Sequence, residues 1–333
     1  MRRRLLRPRT DVPHRRLKWS PLFPPIHPEL RFHNYASFLR GRLGGPAGRI
    51  SVDAGFTCPN RDGTRGTGGC LYCNNESFTE GILDAGLPVE EQVRRAIASN
   101  SRLRAYRKLL VYFQPYTNSH APPEKLERIY GAAFCHPDVV GIVVGTRPDC
   151  LGPQVLDLLA RIAKERYVSV EIGLQSTSDA VLAGIGRGHT VREFTEAVGA
   201  VRSQGIDAAV HLIYGLPGDT RENFVAAAGM LSDLGVQGVK LHHLHVVKGS
   251  GLEAPFRRGE VRVPGYGEYV GACADFLERL SPEVAVLRVA GTAPRKLLLA
   301  PVWEKGSREI SRDVAAELRR RGTWQGSLRE EGR

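Results

Sequence analysis

Apolar residues in this chain come in short unbroken runs separated by amphipathic stretches. The runs are KLLVYFQ (108–114), VVGIVVGT (139–146), YVSVEIGLQ (167–175), IDAAVHLIYG (206–215) and GVKLHHLHVV (238–247). RISVD (49–53) precedes them, and a further strand is expected over 284–289. Apolar runs of this length with little alternation predict strands covered on both faces. Helical patterns lie between the runs, over 122–133, 153–165, 191–204 and 220–234, with another over 266–281. One more, over 88–107, opens at PVEEQV, with Pro at its start and acids in its first turn. This alternation predicts parallel βα units, an α/β fold built as a partial or complete TIM-type (β/α) barrel. Chemistry in such a barrel gathers at the C-terminal ends of the strands. The polar residues cluster there: Gln114, Tyr116 and Asn118; Thr146, Arg147 and Asp149; Glu171 and Gln175; Tyr214; Lys248.

Composition adds little to the fold but shifts the reading of charge. The 333 residues are 42% hydrophobic, ordinary for a globular protein, and hold no apolar run of membrane-spanning length. The net charge of +12 suggests nucleic acid. Yet residues 1–18 carry seven Arg and one Lys against one Asp, so most of the excess is a tail. That segment lacks an apolar signal core, and its prolines break an amphipathic helix, so residues 1–30 are expected to be a disordered basic extension. Residues 31–290 then form the core barrel, with 291–333 an extension packed on it. A cytoplasmic, reducing location is expected, where clustered cysteines point to metal or redox chemistry.

Three of the six cysteines fall in CPNRDGTRGTGGCLYC (58–73). Cys58, Cys70 and Cys73 would supply three soft thiolate ligands, one short of the usual four. Gly63, Gly66, Gly68 and Gly69 let the backbone wrap closely round a bulky object. Zinc would need a fourth ligand, and no His lies between Cys58 and Cys73. A four-iron cluster on three cysteines would leave one iron open. Spacing alone supports the two equally. Cys135, Cys150 and Cys273 lie far apart and read as ordinary buried cysteines, with Cys150, beside TRPD, the exception to watch. GLPGDT (215–220) lacks P-loop spacing and reads as a turn in which Asp219 or Thr220 caps the next helix. KLHHLHVVKG, by alternation, puts Lys240, His242 and Lys248 on one face and His243 and His245 on the other.

The loop follows the first strand, and in this position it resembles the cysteine loop of the radical S-adenosylmethionine (radical SAM) superfamily. The common pattern there is CxxxCxxC; here eleven residues separate Cys58 from Cys70. The stretches DAGFTCPNRDGTRGTGGCLYC, VYFQPYTNSHA, GTRPDCL, VEIGLQSTSDAVLAGIGRGHT, HLIYGLPGDT, KLHHLHVVKGSGLE and GTAPRKLLLAPVWEKG are similar, in this order, to the YhcC-like group of bacterial radical SAM proteins. They also resemble the radical SAM domain of the Elongator catalytic subunit. The resemblance covers residues 32–327 and implies a [4Fe-4S] cluster on Cys58, Cys70 and Cys73, with S-adenosylmethionine on the fourth iron. It further implies reductive cleavage to a 5′-deoxyadenosyl radical that abstracts hydrogen, and a flavodoxin- or ferredoxin-like electron donor.

Under this resemblance Tyr72 packs near the adenine, Gln114 lies near the methionyl amine and Arg187 binds the cofactor carboxylate as a fork donor. Glu171 and Gln175 are four apart on one strand. A carboxylate in an apolar strand is costly unless paired, and a ribose diol would suit it; the plainer alternative is a buried ion pair with Arg187 or Arg147. The substrate is not legible. RNA is one candidate through the Elongator likeness, but the residues after the last strand are too few for an acetyltransferase domain. A non-catalytic iron–sulfur or zinc protein is the competing class.

Overall fold

A computed structural model of the protein describes residues 26–79, 82 and 86–329. The expected tail lies outside them except for 26–30. Strands β1 (Gly48–Val52), β2 (Leu109–Phe113), β3 (Val139–Thr146), β4 (Tyr167–Gln175), β5 (Asp207–Tyr214) and β6 (Gly238–His243) pair in chain order, each parallel to the last. Strand β7 (Val246–Val247) leaves this sheet and pairs antiparallel with β9 (Leu298–Ala300), while β8 (Ala285–Arg288) joins β6 as the seventh parallel strand. The sheet is open, with β1 and β8 at its edges, so the fold is a partial TIM-type barrel. It curls strongly. Tyr112 on β2 and Lys240 on β6 are four strand spacings apart, about 19 Å if flat. Their hydroxyl and ammonium groups nonetheless meet at 3.0 Å.

Alternation decides what each face does. Leu109, Val111 and Phe113 of β2, with Val168, Val170, Ile172 and Leu174 of β4, point outward into one large core shared with the surrounding helices. Each such side chain contributes roughly 1.5–3 kcal/mol when fully buried. The helix Pro153–Ala163 buries Val155, Leu156, Leu158 and Leu159 against the sheet, with the spacing of one helical face. Local chemistry sets the helix starts. Thr190 and Glu193 form a reciprocal capping box, and the Thr220 hydroxyl accepts from the Asn223 amide. Thr220 thus caps its helix, as the turn reading of GLPGDT expects.

The inner face is layered. At its N-terminal end the helix Tyr35–Leu43 packs Phe38 and Leu39 on Leu110, Tyr112, Val143 and Ala285. This helix was not expected from the sequence, because its apolar residues are few and three arginine or glycine positions interrupt them. Above the plug the inner positions turn polar, and the C-terminal mouth lies open.

Two expectations are corrected. The predicted strand 238–247 ends soon after His243: the Leu244 amide still bonds the Tyr214 carbonyl of β5, but Val246–Val247 pair elsewhere, with β9. Lys248 therefore sits exposed beyond the sheet and does not share the face of Lys240 and His242. Beyond β8, the helix Ser307–Arg321 packs on the helix Tyr266–Arg279, with Arg321 paired to Asp275 and Glu278. Gln325, fully buried, ties the chain end to Ser281, Val284 and His33. Among the described residues no helix is long and apolar enough to cross a membrane.

Candidate metal and cofactor site

The long gap between the first two cysteines is folded away. Carbonyls of Cys58 and Pro59 accept from Arg61, Asp62, Arg65 and Gly66, and the Gly69 amide donates to the Asn60 carbonyl at 2.7 Å. Residues 61–68 thus form a loop pinched at its base. Without that loop the line reads Cys-Pro-Asn-Gly-Cys, and the ligand spacing shortens to the common CxxxCxxC pattern. Gly69 is required at the pinch. Its φ is +74°, and a Cβ there would lie 3.0 Å from the Arg61 guanidinium, which itself donates to the Cys73 carbonyl.

Loops from distant parts of the chain close round the cysteines. Asn60 Nδ2 donates to the Gly186 carbonyl at 2.7 Å and to Cys70 Sγ at 3.3 Å. The Leu71 amide binds the Ile185 carbonyl, and the Leu71 carbonyl accepts from Leu252. Arg187, in RGHT, places Nη1 3.7 Å from Cys70 Sγ and Nη2 2.8 Å from the Gly173 carbonyl. Gly173 permits this: a Cβ there would meet Arg187 Nη2 and Gln175 Nε2 at 2.6 Å. Burial opposes ionisation of Cys70, but Arg187, Arg147 and Asn60 outweigh it and hold the thiol below its ordinary value. Burial, and then the charge of Cys70, push Cys73 up to about 11.

The three cysteines line one cleft together with Tyr72, Gln114, Glu171, Gln175 and Arg187. It holds about 880 Å³ of space free of protein atoms, part of it continuous with solvent. Gln175 ends β4 at a register shift, with φ +78°, a conformation that costs a non-glycine residue and recurs at functional sites. Tyr116, at φ +63°, stands at the same mouth. Gln114 is anchored by the Ser51 hydroxyl at 3.2 Å. Burial raises the Tyr72 hydroxyl well above its ordinary value, so it stays a neutral donor beside Cys70.

Glu171 pairs with neither Arg187 nor Arg147. Arg147 is held by Asp149, and Arg187 by Cys70 and Gly173. Glu171 lies deeper, fully buried, where Oε1 accepts from Arg49 at 3.0 Å and Oε2 from Lys240 and His211, each at 2.7 Å. Against its burial, Lys240, His211 and Arg49 keep the carboxyl well below its ordinary value. Burial and Lys240 push His211 down to about 4, so its imidazole is neutral and donates to Glu171. Tyr214 is not part of the cleft: its hydroxyl donates to Glu268 and its ring packs on Phe224 and Tyr269. His243 and His245 do not line this cleft but an adjoining pocket that shares Tyr72, Gln175, His211 and His242 with it, and His243 stacks on Trp303. Asn60, Arg49 and Arg288 escaped the sequence reading. For the two arginines the signal was available, since a charge inside a strand run demands a partner as Glu171 did.

The donors fit an iron–sulfur cluster. Three thiols border one space, and Arg147 Nη1 and Arg187 Nε are buried there without a hydrogen-bond partner. Among the described residues no three His, Cys, Asp or Glu side chains are disposed to hold a single metal ion.

Comparison with known proteins places the chain. Residues 61–231 match the Radical SAM superfamily, and residues 236–320 match the Radical_SAM C-terminal domain. The chain belongs to the radical SAM superfamily, whose cofactors are S-adenosylmethionine and a [4Fe-4S] cluster. Within it the similarity is to the YhcC-like group. The chain is 35% identical to protein YhcC of Escherichia coli, over 80% of this chain and 85% of that one. It is 34% identical to the uncharacterized protein YtqA of Bacillus subtilis, over 92% and 95%. Its fold matches the archaeal Methanocaldococcus infernus Elp3 with a TM-score of 0.66 at 17% identity. That match covers 84% of this chain and 64% of the Elp3 chain.

Proposed function

We propose that the protein is an enzyme that cleaves S-adenosylmethionine reductively and abstracts hydrogen from a substrate held in the cleft. The observation that carries this is the convergence of Cys58, Cys70 and Cys73 at the C-terminal mouth of the barrel, with Arg187 set against Cys70. When bound, the cluster and S-adenosylmethionine supply one-electron cleavage of a C–S bond, yielding a 5′-deoxyadenosyl radical. The chain's part is to bind, orient and enclose. Cys58, Cys70 and Cys73 would hold the cluster through their thiolates. Arg187, with its free Nε, offers a fork to the cofactor carboxylate. Gln175 and Gln114 present amides from β4 and from the end of β2, and Tyr72 supplies a flat apolar wall near the adenine. Glu171, its oxygens already engaged, organises the cleft floor by holding Arg49, His211 and Lys240. An external reductant of flavodoxin or ferredoxin type delivers the electron.

Anaerobic reconstitution tests the reading. About four irons per chain are expected. Alanine at Cys58, Cys70 or Cys73 should abolish incorporation, and alanine at Cys135 or Cys273 should not. Reduced protein with S-adenosylmethionine should release 5′-deoxyadenosine and methionine. Tight binding of one zinc with refusal of iron would overturn it.

A further inference from the structure

The cleft floor holds more basic side chains than carboxylates. Arg49, Lys240 and Arg288 gather there round one carboxylate, that of Glu171. Lys240 also donates to the Tyr112 hydroxyl at 3.0 Å, and Arg49 lies over the Tyr112 ring at 4.4 Å. Arg288 has no carboxylate partner among the described residues. Its Nη2 meets only the His242 imidazole, at 3.1 Å, and its Nε is buried without any hydrogen-bond partner. His242 and His211 add no charge of either sign, since burial, first of all, holds both imidazoles neutral.

The fold places this surplus deliberately. Gly173, His211, Lys240 and Arg288 are lateral neighbours across β4, β5, β6 and β8. A register shift after Val239 pairs Lys240 with Arg288 in place of Leu287, which turns the guanidinium to the inner face. A buried, unpaired guanidinium is costly unless an anion completes it. The cofactor's one carboxylate is assigned, in the function proposed above, to Arg187, which lies against Cys70.

We propose that the floor formed by Arg288 and Lys240 binds an oxyanion of the substrate, a carboxylate or phosphate group, and so sets which molecules the enzyme accepts. The Arg288 guanidinium offers the Nε that no protein acceptor fills, and Lys240, already held by Glu171 and Tyr112, lies beside it. This rests on the proposed activity for the word substrate, but the anion site can be read without turnover.

The experiment is calorimetric titration of inorganic phosphate, and separately of malonate, into full-length reconstituted protein saturated with S-adenosylmethionine at constant ionic strength. The wild type should bind one anion per chain saturably. Arg288→Gln should weaken binding about tenfold or more, the loss of a charge-assisted pair. Arg288→Lys should restore most of it, and Lys240→Gln, a second variant should the first fail to fold, should also weaken it. Affinity for S-adenosylmethionine should stay within about twofold throughout, below a loss of one hydrogen bond. Stronger binding of phosphate assigns the head group to a phosphate ester, and of malonate to a carboxylate. The proposal is overturned if the wild type shows no saturable binding, if both glutamine variants bind as the wild type does, or if affinity for the cofactor falls in parallel. Absence of a cluster or of cofactor cleavage would instead strike the proposed activity, and phosphate titration of the same protein would still read the floor.

Discussion

Glu171→Gln separates a structural from a cofactor-binding role at the centre of the cleft. The substitution keeps the shape and one acceptor but removes the charge that faces Arg49, Lys240 and His211. The Glu171 side chain is fully buried and that of Lys240 nearly so, so solvent screens little. Breaking a buried pair by removing one partner costs about 3–5 kcal/mol. Unfolding entropy of roughly 2.1 cal/mol/K per residue makes each kcal/mol worth about 1.4 °C in a chain of this length. A fall of about 4–7 °C in Tm follows from those two figures. Lys240 limits the loss by shedding its proton, since burial has already brought it down to about 7. The assays are a thermal melt and a cofactor binding isotherm on the same reconstituted sample. A lowered Tm with affinity for S-adenosylmethionine within about threefold is expected, because no hydrogen bond to the cofactor is lost. An unchanged Tm with a tenfold or greater loss of affinity would refute the reasoning and return Glu171 to the ribose.

Two further outcomes follow from charge. His189, His211 and His245 are pushed down to about 4 and His243 to about 2, burial being the leading cause in each. Below pH 6.5 the unfolded chain takes up protons that the native chain refuses, so stability is full above that pH and is lost toward pH 4. Each imidazole contributes up to about 1.4 kcal/mol per pH unit. Urea midpoints at neutral pH and at pH 5 check this, and a midpoint that holds or rises on acidification contradicts it. Deleting residues 1–25 should remove most non-specific RNA affinity, which counterion release makes strongly salt-dependent, without altering cofactor cleavage. Binding isotherms at two salt concentrations read it; tight tRNA binding by the truncated protein at the higher salt would show instead that the barrel itself recognises RNA.

What was legible in the sequence is what short stretches determine by themselves. The apolar runs of β2, β3, β4 and β5 announce strands because both faces of each are covered, and their ends fall within a residue or two of the observed ones. Thr190 and Thr220 cap their helices through bonds spanning three residues. The cysteines are close in sequence, and their chemistry reads directly from thiolate softness. The partners of Glu171 were not legible. Arg49 lies 122 residues away, Lys240 69 and His211 40, and they meet because strand order, register and curl set lateral neighbours that no local periodicity encodes. The same holds for Arg187 on Cys70, 117 residues apart, and for the register shift that turns Arg288 inward. Side-chain period is a property of the single strand. Which charges face one another across a curled sheet is a property of the whole sheet, and the tertiary structure alone decided it.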